Sequence, residues 1–279
     1  MPARDAKISV FDRGLLYGDS VFETIATHGG KPFMLREHLR RLRHSAELVF
    51  IDLSVDEDTM TGEISQAITA AGHSESYLRL IVTRGVGELG LDPELSGRPC
   101  RILIVAPLVR PTPEVYANGV GVITYRTQRT AESTLASGAK VGNYLVAVLA
   151  MRQAKAVGAN EALVINGQGR VIEGATSNLF AQIGGKLVTP PESAGILPGI
   201  TRQLVIEVAE RAQIPVIRMS PTLEELCAAE EVFITSSVRE MLPVVKVDER
   251  VIGPGTPGPT FRKLWQGYCE LVNEKQRAK

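Results

Sequence analysis

The stretch APLVRPTPE places Pro107, Pro111 and Pro113 within seven residues. Proline has no backbone N–H, fixes φ, and pushes the residue before it out of the helical region. Such a cluster reads as a boundary between domains. A chain of 279 residues is long enough to bury one large core or two smaller ones. The proline cluster favours two, and we expect a small N-terminal domain over residues 1–110, a linker over 111–120 and a larger domain over 121–279.

Around this break the pattern mixes helix and strand signals. Lys7 to Phe11 and Val21 to Thr27 read as strands, and Gly29-Gly30 reads as a hairpin turn into Pro32-Phe33-Met34. In LREHLRRLRHSAELV the apolar Leu35, Leu39, Leu42, Ala46 and Val49 fall on one helical stripe. Ser54, followed by Asp56, Glu57 and Asp58, reads as the start of a helix that ends at Gly72. Tyr77 to Thr83 and Arg101 to Ala106 read as strands. Beyond the prolines, strands are expected at Val120 to Tyr125, Ala162 to Asn166, Val171-Ile172, Asn178 to Ile183, Lys186 to Thr189, Val232 to Thr235 and Val244 to Val247. Helices are expected at Tyr144 to Val157, Thr201 to Ala212 and Thr260 to Glu274. The short, antiparallel-looking hairpins mark a mixed α and β chain rather than a doubly wound sheet.

Several function classes fall away. Lys+Arg 31 balances Asp+Glu 31, which argues against a surface-wide nucleic-acid footprint. Aromatics are 5% with Trp265 alone of its kind, a poor stacking platform for single strands. Cys100, Cys227 and Cys269 form no CxxC pair, and His28, His38, His44 and His73 form no ligand spacing, so no metal site is expected. No apolar run nears eighteen residues and the N-terminus has no signal-peptide core, so the expected setting is cytoplasmic, away from membranes. GVGELG lacks the Lys-Ser/Thr and following helix of a nucleotide loop.

Candidate chemistry is local and, residue by residue, ambiguous. Lys140 sits between the small residues Ala136-Ser137-Gly138-Ala139 and VGNYLVAVLA, where a partly buried amine of lowered pKa could bond a carbonyl; a solvated lysine before a helix fits as well. Glu173 in RVIEGATSNLF could hold a pyridinium nitrogen, or be a turn carboxylate. Gly199-Ile200-Thr201 at a helix entry suits a phosphate, or is a Pro-Gly entry with Thr201 as cap. Ser236 and Ser237 follow a strand and could bind an anion, or simply build a turn. Arg41 lies off the apolar stripe, and periodicity makes it solvated.

The order of these segments carries more than any one of them. ISVFDRGLLYGDSVFETI, FMLREHLRRL, YLRLIVTRGVGELGLDP, KVGNYLVAVLA, NEALVINGQGRVIEGATSNLF, GILPGITR and EEVFITSSVREMLPV follow one another over nearly the whole chain. In that order they resemble the fold-type-IV pyridoxal-phosphate enzymes, the class IV aminotransferases, and among them most nearly the branched-chain aminotransferases. The resemblance implies a two-domain mixed α/β fold with a small N-terminal domain and a larger pseudo-barrel domain. It implies pyridoxal 5′-phosphate as cofactor, small amino acids and 2-oxo acids as substrates, and a homodimer or higher homo-oligomer. It implies Lys140 as the lysine that bonds the cofactor and carries the proton at substrate Cα, and Glu173 as the acid at the pyridine nitrogen. Arg41, Ile200, Thr201 and Ser237 are implied as phosphate ligands, with Tyr144 near the cofactor's phenolic oxygen. Ser236, Ser237 and Val238 would serve the substrate α-carboxylate.

The same resemblance implies Tyr77 and Arg79 as residues that admit both an apolar side chain and a distal carboxylate, Arg79 snorkelling at the rim. Tyr17, Phe22 and Leu91 would wall the substrate pocket, Tyr17 and Leu91 from the neighbouring subunit. No His follows Thr83-Arg84-Gly85, which argues against the carboxylate trap of the D-amino-acid enzymes. The implied reaction is transfer of an amino group from a branched-chain or related apolar L-amino acid to 2-oxoglutarate. Alternatives are a D-amino-acid or R-amine transaminase, an aminodeoxychorismate lyase, and a cofactor-free binding module on the same fold; the intact pair Lys140 and Glu173 argues against the last.

Overall fold

The computed structural model describes residues 1–127 and 136–277. The chain divides into two compact units: Met1–Leu108 with Ala139–Tyr144, and Val109–Gly138 with Leu145–Lys279. The expected division at 110 and 120 has no return of the chain, and that return brings Lys140 to the N-terminal unit.

The first unit contains a short helix α1 (Arg13–Tyr17), strand β1 (Ser20–His28), β2 (Lys31–Pro32), helices α2 (Leu35–Leu48) and α3 (Glu57–Ala71), and strands β3 (Ser76–Thr83) and β4 (Cys100–Pro107). The strands form one antiparallel sheet ordered β2-β1-β3-β4. Period-two alternation sends Val21 and Ile25 of β1 and Leu78, Leu80 and Val82 of β3 into a core with the α2 stripe Leu35, Leu39, Leu42 and Ala46. The opposite phase places Phe22, Thr24 and Ala26 beside Ile81, Arg79 and Tyr77 by register. The α3 helix is capped by Asp56, not Ser54, because the Asp56 carboxylate accepts from the Thr59 N–H at 2.7 Å; Gly72 ends it at φ 65°.

Lys7 to Phe11 forms no strand. The Asp12 side chain accepts from Gly14 N–H and Thr83 Oγ1, turning the chain into α1 before a ladder forms, and Val10 stays 67% exposed.

The second unit opens with α4 (Pro113–Asn118) and β5 (Val120–Arg126). A helix thus occupies most of the expected linker. Thr112 takes the N-cap position and Pro113 the first turn, where a missing N–H costs nothing. There follow α5 (Leu145–Ala156), β6 (Glu161–Ile165), β7 (Val171–Gly174), β8 (Asn178–Ile183), β9 (Lys186–Thr189), α6 (Ile200–Arg211), β10 (Val216–Arg218), α7 (Leu223–Cys227), β11 (Glu231–Ser236), β12 (Glu240–Val247), β13 (Arg250–Val251) and α8 (Pro259–Arg277). Eight strands are ordered β10-β9-β8-β11-β12-β5-β6-β7, with β13 paired to β12. The pairs β5–β6, β5–β12 and β9–β10 are parallel and the rest antiparallel, so the sheet mixes both kinds of pairing, where the hairpin signals suggest antiparallel ones. Its core gathers Val122, Leu163, Ile165, Leu179, Val232 and Leu242. Among the described residues, no helix is long and apolar enough to cross a membrane.

Candidate active site

In the first unit the returning segment 139–144 is laid along the start of β1. Val21 and Val141 form a bridge, Phe22 N–H donates to the Lys140 carbonyl at 2.9 Å, and Gly142 N–H donates to the Ser20 carbonyl at 2.7 Å. Lys140 N–H also donates to Ser45 Oγ of α2 at 3.0 Å. A Cβ on Gly142 would fall 2.1 Å from Ser20 Oγ, so the serine hydroxyl would have to turn away. These bonds fix the Lys140 backbone, so the remaining freedom lies in the side chain. Its Nζ donates to Tyr144 Oη at 3.3 Å and lies 4.5 Å from the centre of the Phe22 ring.

Phe22 is 2% exposed and gathers the group. The Arg79 guanidinium sits 4.0 Å over the same ring, and Tyr144 meets it edge-on at 5.0 Å. Arg79 is half-buried, and no carboxylate within ion-pair distance accompanies it among the described residues. Tyr77 lies two residues away on the same face of β3, also half-buried. The structure thus brings together Lys140, Tyr144, Phe22 and Arg79, with Tyr77 in register beside them.

Tyr17 and Leu91 form a separate group in this unit. Tyr17 Oη accepts from Gly90 N–H at 3.1 Å, while Arg13 donates to the Gly90 and Leu91 carbonyls and lies 5.1 Å over the Tyr17 ring. Leu91 itself is 80% exposed.

Arg41 is not solvated, which corrects the periodicity reading. It is buried on α2, and its Nε and Nη2 donate to the two carboxylate oxygens of Glu23 at 2.7 and 2.8 Å. Glu23 is fully buried and also meets His38 Nδ1 at 2.7 Å. Burial pushes the Glu23 carboxyl up, but the Arg41 and His38 charges and hydrogen bonds outweigh it and hold it at about 2. Burial pushes the His38 imidazole down, against the pull of Glu23.

In the second unit, Glu173 on β7 accepts from the Leu197 N–H at 3.1 Å. Asn178 at the start of β8 donates to the Leu197 carbonyl at 2.9 Å, so the approach to α6 is tied to these strands. At α6 the N-cap is Gly199, without a side-chain cap or an acid in the first turn. A Cβ on Gly199 would lie 1.8 Å from Asn178 Oδ1, so a side chain there would displace the Asn178 amide that is bonded to Leu197. Ile200 is half-buried and Thr201 buried. Ser236 ends β11, and Ser237, Val238 and Arg239 make the turn into β12, with Ser236 opposite Glu240. Ser236 Oγ accepts from the Arg239 N–H at 3.2 Å, so that hydroxyl builds the turn.

Sequence reasoning missed the network beneath this turn. Arg239 Nη2 donates to Glu161 Oε2 and to Thr176 Oγ1, both at 2.6 Å, and Thr176 Oγ1 donates on to Glu161 Oε2 at 2.7 Å. Glu161 is fully buried. Nothing in EALVI separates this acid from an edge-strand glutamate. For Glu23 a signal existed: it shares the phase of Val21 and Ile25, and an acid in an apolar phase calls for a buried partner.

The donor set fits a pyridoxal phosphate. The side-chain-free entry of α6, with no acid in its first turn, leaves first-turn N–H groups suited to a phosphate dianion. The buried Thr235 Oγ1, beside Ser236 at the end of β11, has no hydrogen-bond partner among the described residues. In the second unit Glu173 could offer a carboxylate to a protonated ring nitrogen, and in the first Lys140 could offer an amine to an aldehyde. Among the described residues no group of His, Cys, Asp and Glu could hold a metal ion.

Comparison with known proteins agrees with this chemistry. Residues 20–247 match the family described as amino-transferase class IV. A Methanocaldococcus jannaschii protein provisionally named a branched-chain-amino-acid aminotransferase is 40% identical over 268 residues, covering 96% of this chain and 92% of the relative. The crystal structure of a T.th. branched-chain amino acid aminotransferase with pyridoxamine 5′-phosphate superposes with a TM-score of 0.92 at 32% identity, over 99% of this chain and 92% of that one. A Legionella pneumophila structure provisionally named 4-amino-4-deoxychorismate lyase gives 0.87 at 28% identity, over 98% and 97%. The matched span, the lysine seated on β1 and the uncapped helix entry lead to one family: this chain belongs to the class IV aminotransferases, and it is an aminotransferase that works with pyridoxal 5′-phosphate.

Proposed function

We propose that the enzyme transfers an amino group from a branched-chain or related apolar L-amino acid to 2-oxoglutarate. The observation that carries this reading is the Phe22 ring shared by Lys140 and Arg79. It sets a reacting amine and a guanidinium on one apolar surface, which suits an apolar side chain in one half-reaction and a distal carboxylate in the other. The names of the relatives support it.

When bound, the cofactor supplies an electron sink for the pair released at substrate Cα. Lys140 Nζ would hold it covalently, and would take and return the proton at substrate Cα. Tyr144 Oη, within 3.3 Å of that amine, orients it. Glu173 would keep the ring nitrogen protonated. Ile200 and Thr201 at the α6 entry and Ser237 of the turn would hold the phosphate, and Arg41 would add to this alongside its pair with Glu23. Ser236 shapes the turn whose Ser237 and Val238 N–H groups would receive the substrate α-carboxylate. Tyr77, Arg79 and Phe22 would line the side-chain pocket.

Tyr17 and the exposed Leu91 would complete the site of a second copy, making the enzyme a homodimer or higher homo-oligomer; a monomer mass by light scattering would remove this reading. The substrate reading is tested by mixing holoenzyme with L-leucine, L-glutamate, D-alanine and R-1-phenylethylamine while following the cofactor's visible absorbance. Fast conversion by L-leucine and L-glutamate is expected, and its loss by more than a thousandfold in Lys140→Ala, within the roughly 10²–10⁴-fold range of positioned proton transfer plus the lost covalent step. Conversion by D-alanine alone would install the D-specific alternative. Pyruvate release from aminodeoxychorismate would install the lyase.

A further inference from the structure

The turn at the end of β11 has two supports that the reaction itself does not use. From one side, Tyr116 of α4 donates its hydroxyl to the Arg239 carbonyl at 3.2 Å, with its ring stacked on Trp265 at 4.9 Å. From the other, the Arg239 side chain folds away from the turn and ends on Glu161 and Thr176. Glu161 opens β6, the strand paired with β7, and Thr176 lies two residues beyond the end of β7. That loop is itself fixed: Gly174 N–H donates to the Ser177 carbonyl at 2.7 Å and Ala175 N–H to the Ala162 carbonyl at 2.8 Å. Ser177 Oγ adds a bond to Glu161 Oε2 at 3.3 Å. One guanidinium therefore joins the turn Ser236–Arg239 to the strand pair that carries Glu173.

We propose that Arg239 is a positioning residue: through Glu161 and Thr176 it fixes the anion-binding turn Ser236–Val238 relative to the Glu173 strand. This rests on the reading of that turn as a ligand of the cofactor phosphate and substrate carboxylate. The physical case is one of geometry and charge. The turn's hydroxyl and N–H groups bind an anion well only if already aimed at it, since ordering them on binding costs affinity. Arg239 is available for this because Glu161 neutralises it, so it serves as a cross-link and not as a further free cation. Only a planar fork can reach Glu161 and Thr176 with Nη2 while its own N–H and Nε face Ser236 Oγ, at 3.2 and 3.5 Å. A lysine keeps the charge opposite Glu161 but not the span.

The test compares apoprotein binding of pyridoxal 5′-phosphate with binding of pyridoxal, which lacks the phosphate, in the wild type, Arg239→Lys and Arg239→Ala, together with each variant's Tm. Arg239→Lys is expected to keep its Tm within a few degrees, to weaken pyridoxal phosphate binding by about tenfold, and to leave pyridoxal within about twofold. Arg239→Ala strands the buried Glu161 and is expected to be worse for the phosphate form; if it fails to fold, the lysine variant decides. Unchanged pyridoxal phosphate binding in Arg239→Lys, or equal weakening of both aldehydes, overturns the proposal, because a general structural role does not single out the phosphate. A wild type that binds the two aldehydes equally overturns the reading of the turn, and the proposal with it, before any variant is compared.

Discussion

The two units each bury a glutamate completely and each pair it with an arginine, but they do so for different ends. Glu23 lies in the apolar phase of β1 and faces Arg41 and His38 on one helix, three residues apart. Every partner sits inside one sheet–helix layer, and Arg41 is only 9% exposed. Glu161 faces two hydroxyls and an arginine that come from two separate loops, and the Arg239 side chain is 22% exposed. The first pair is sealed and the second keeps an edge toward water. A sealed pair registers a helix against a strand; a pair built from loop residues holds a turn in place. Burial of the acid is the same in both, so the exposure of the arginine decides what the loss of the acid costs.

Removing each acid in turn tests this directly. Glu23→Ala leaves a nearly buried guanidinium uncompensated and should lose about 3–5 kcal/mol in urea denaturation. Glu161→Ala leaves a guanidinium that can turn to solvent, and should lose about 1–3 kcal/mol. Equal losses would mean that arginine exposure does not set the cost, and the comparison would break.

Acid should sharpen it. Glu23 is held at about 2 against its usual 4.5, so the folded state resists its protonation more than the unfolded state does. Its contribution is full above pH 4.5 and disappears as pH falls towards 2, roughly 2–4 kcal/mol in all. His38 is held below its usual 6.5, so its protonation adds a loss that begins as pH falls through that value. Wild-type stability should therefore decline with acid in two stages, and Glu23→Gln should flatten the later one. Identical slopes below pH 4.5 in the two proteins, followed by urea midpoints across the range, would remove Glu23 as its source.

Much of this was legible in the chain. The α2 stripe, the Gly29-Gly30 hairpin, the Gly72 stop and most strands of the larger unit appear where period and turn chemistry placed them, because those signals act over a few residues. The order of the motifs sufficed to mark the family. Less legible were elements whose reason lies elsewhere in the fold. Lys7 to Phe11 alternates like a strand, yet the Asp12 contacts with Gly14 and Thr83 turn it away from any ladder. Pro113, expected in a linker, starts a helix, since a helix's first turn does not need its N–H. Arg41 looked solvated because a helical wheel records the stripe but not an acid on the facing strand.

Local signals along the chain settle the local material: which segments become helix or strand, which glycines can turn, and which residue types recur in the order of one enzyme family. The tertiary structure alone decided which distant side chains share a place. It returned residues 139–144 to β1, set Lys140 and Arg79 on one ring, buried Glu23 against Arg41, and joined Arg239 to Glu161 across 78 residues. The physical reason is that periodicity reports a residue's phase against its own neighbours, whereas pairing of a buried charge depends on what the fold places opposite it.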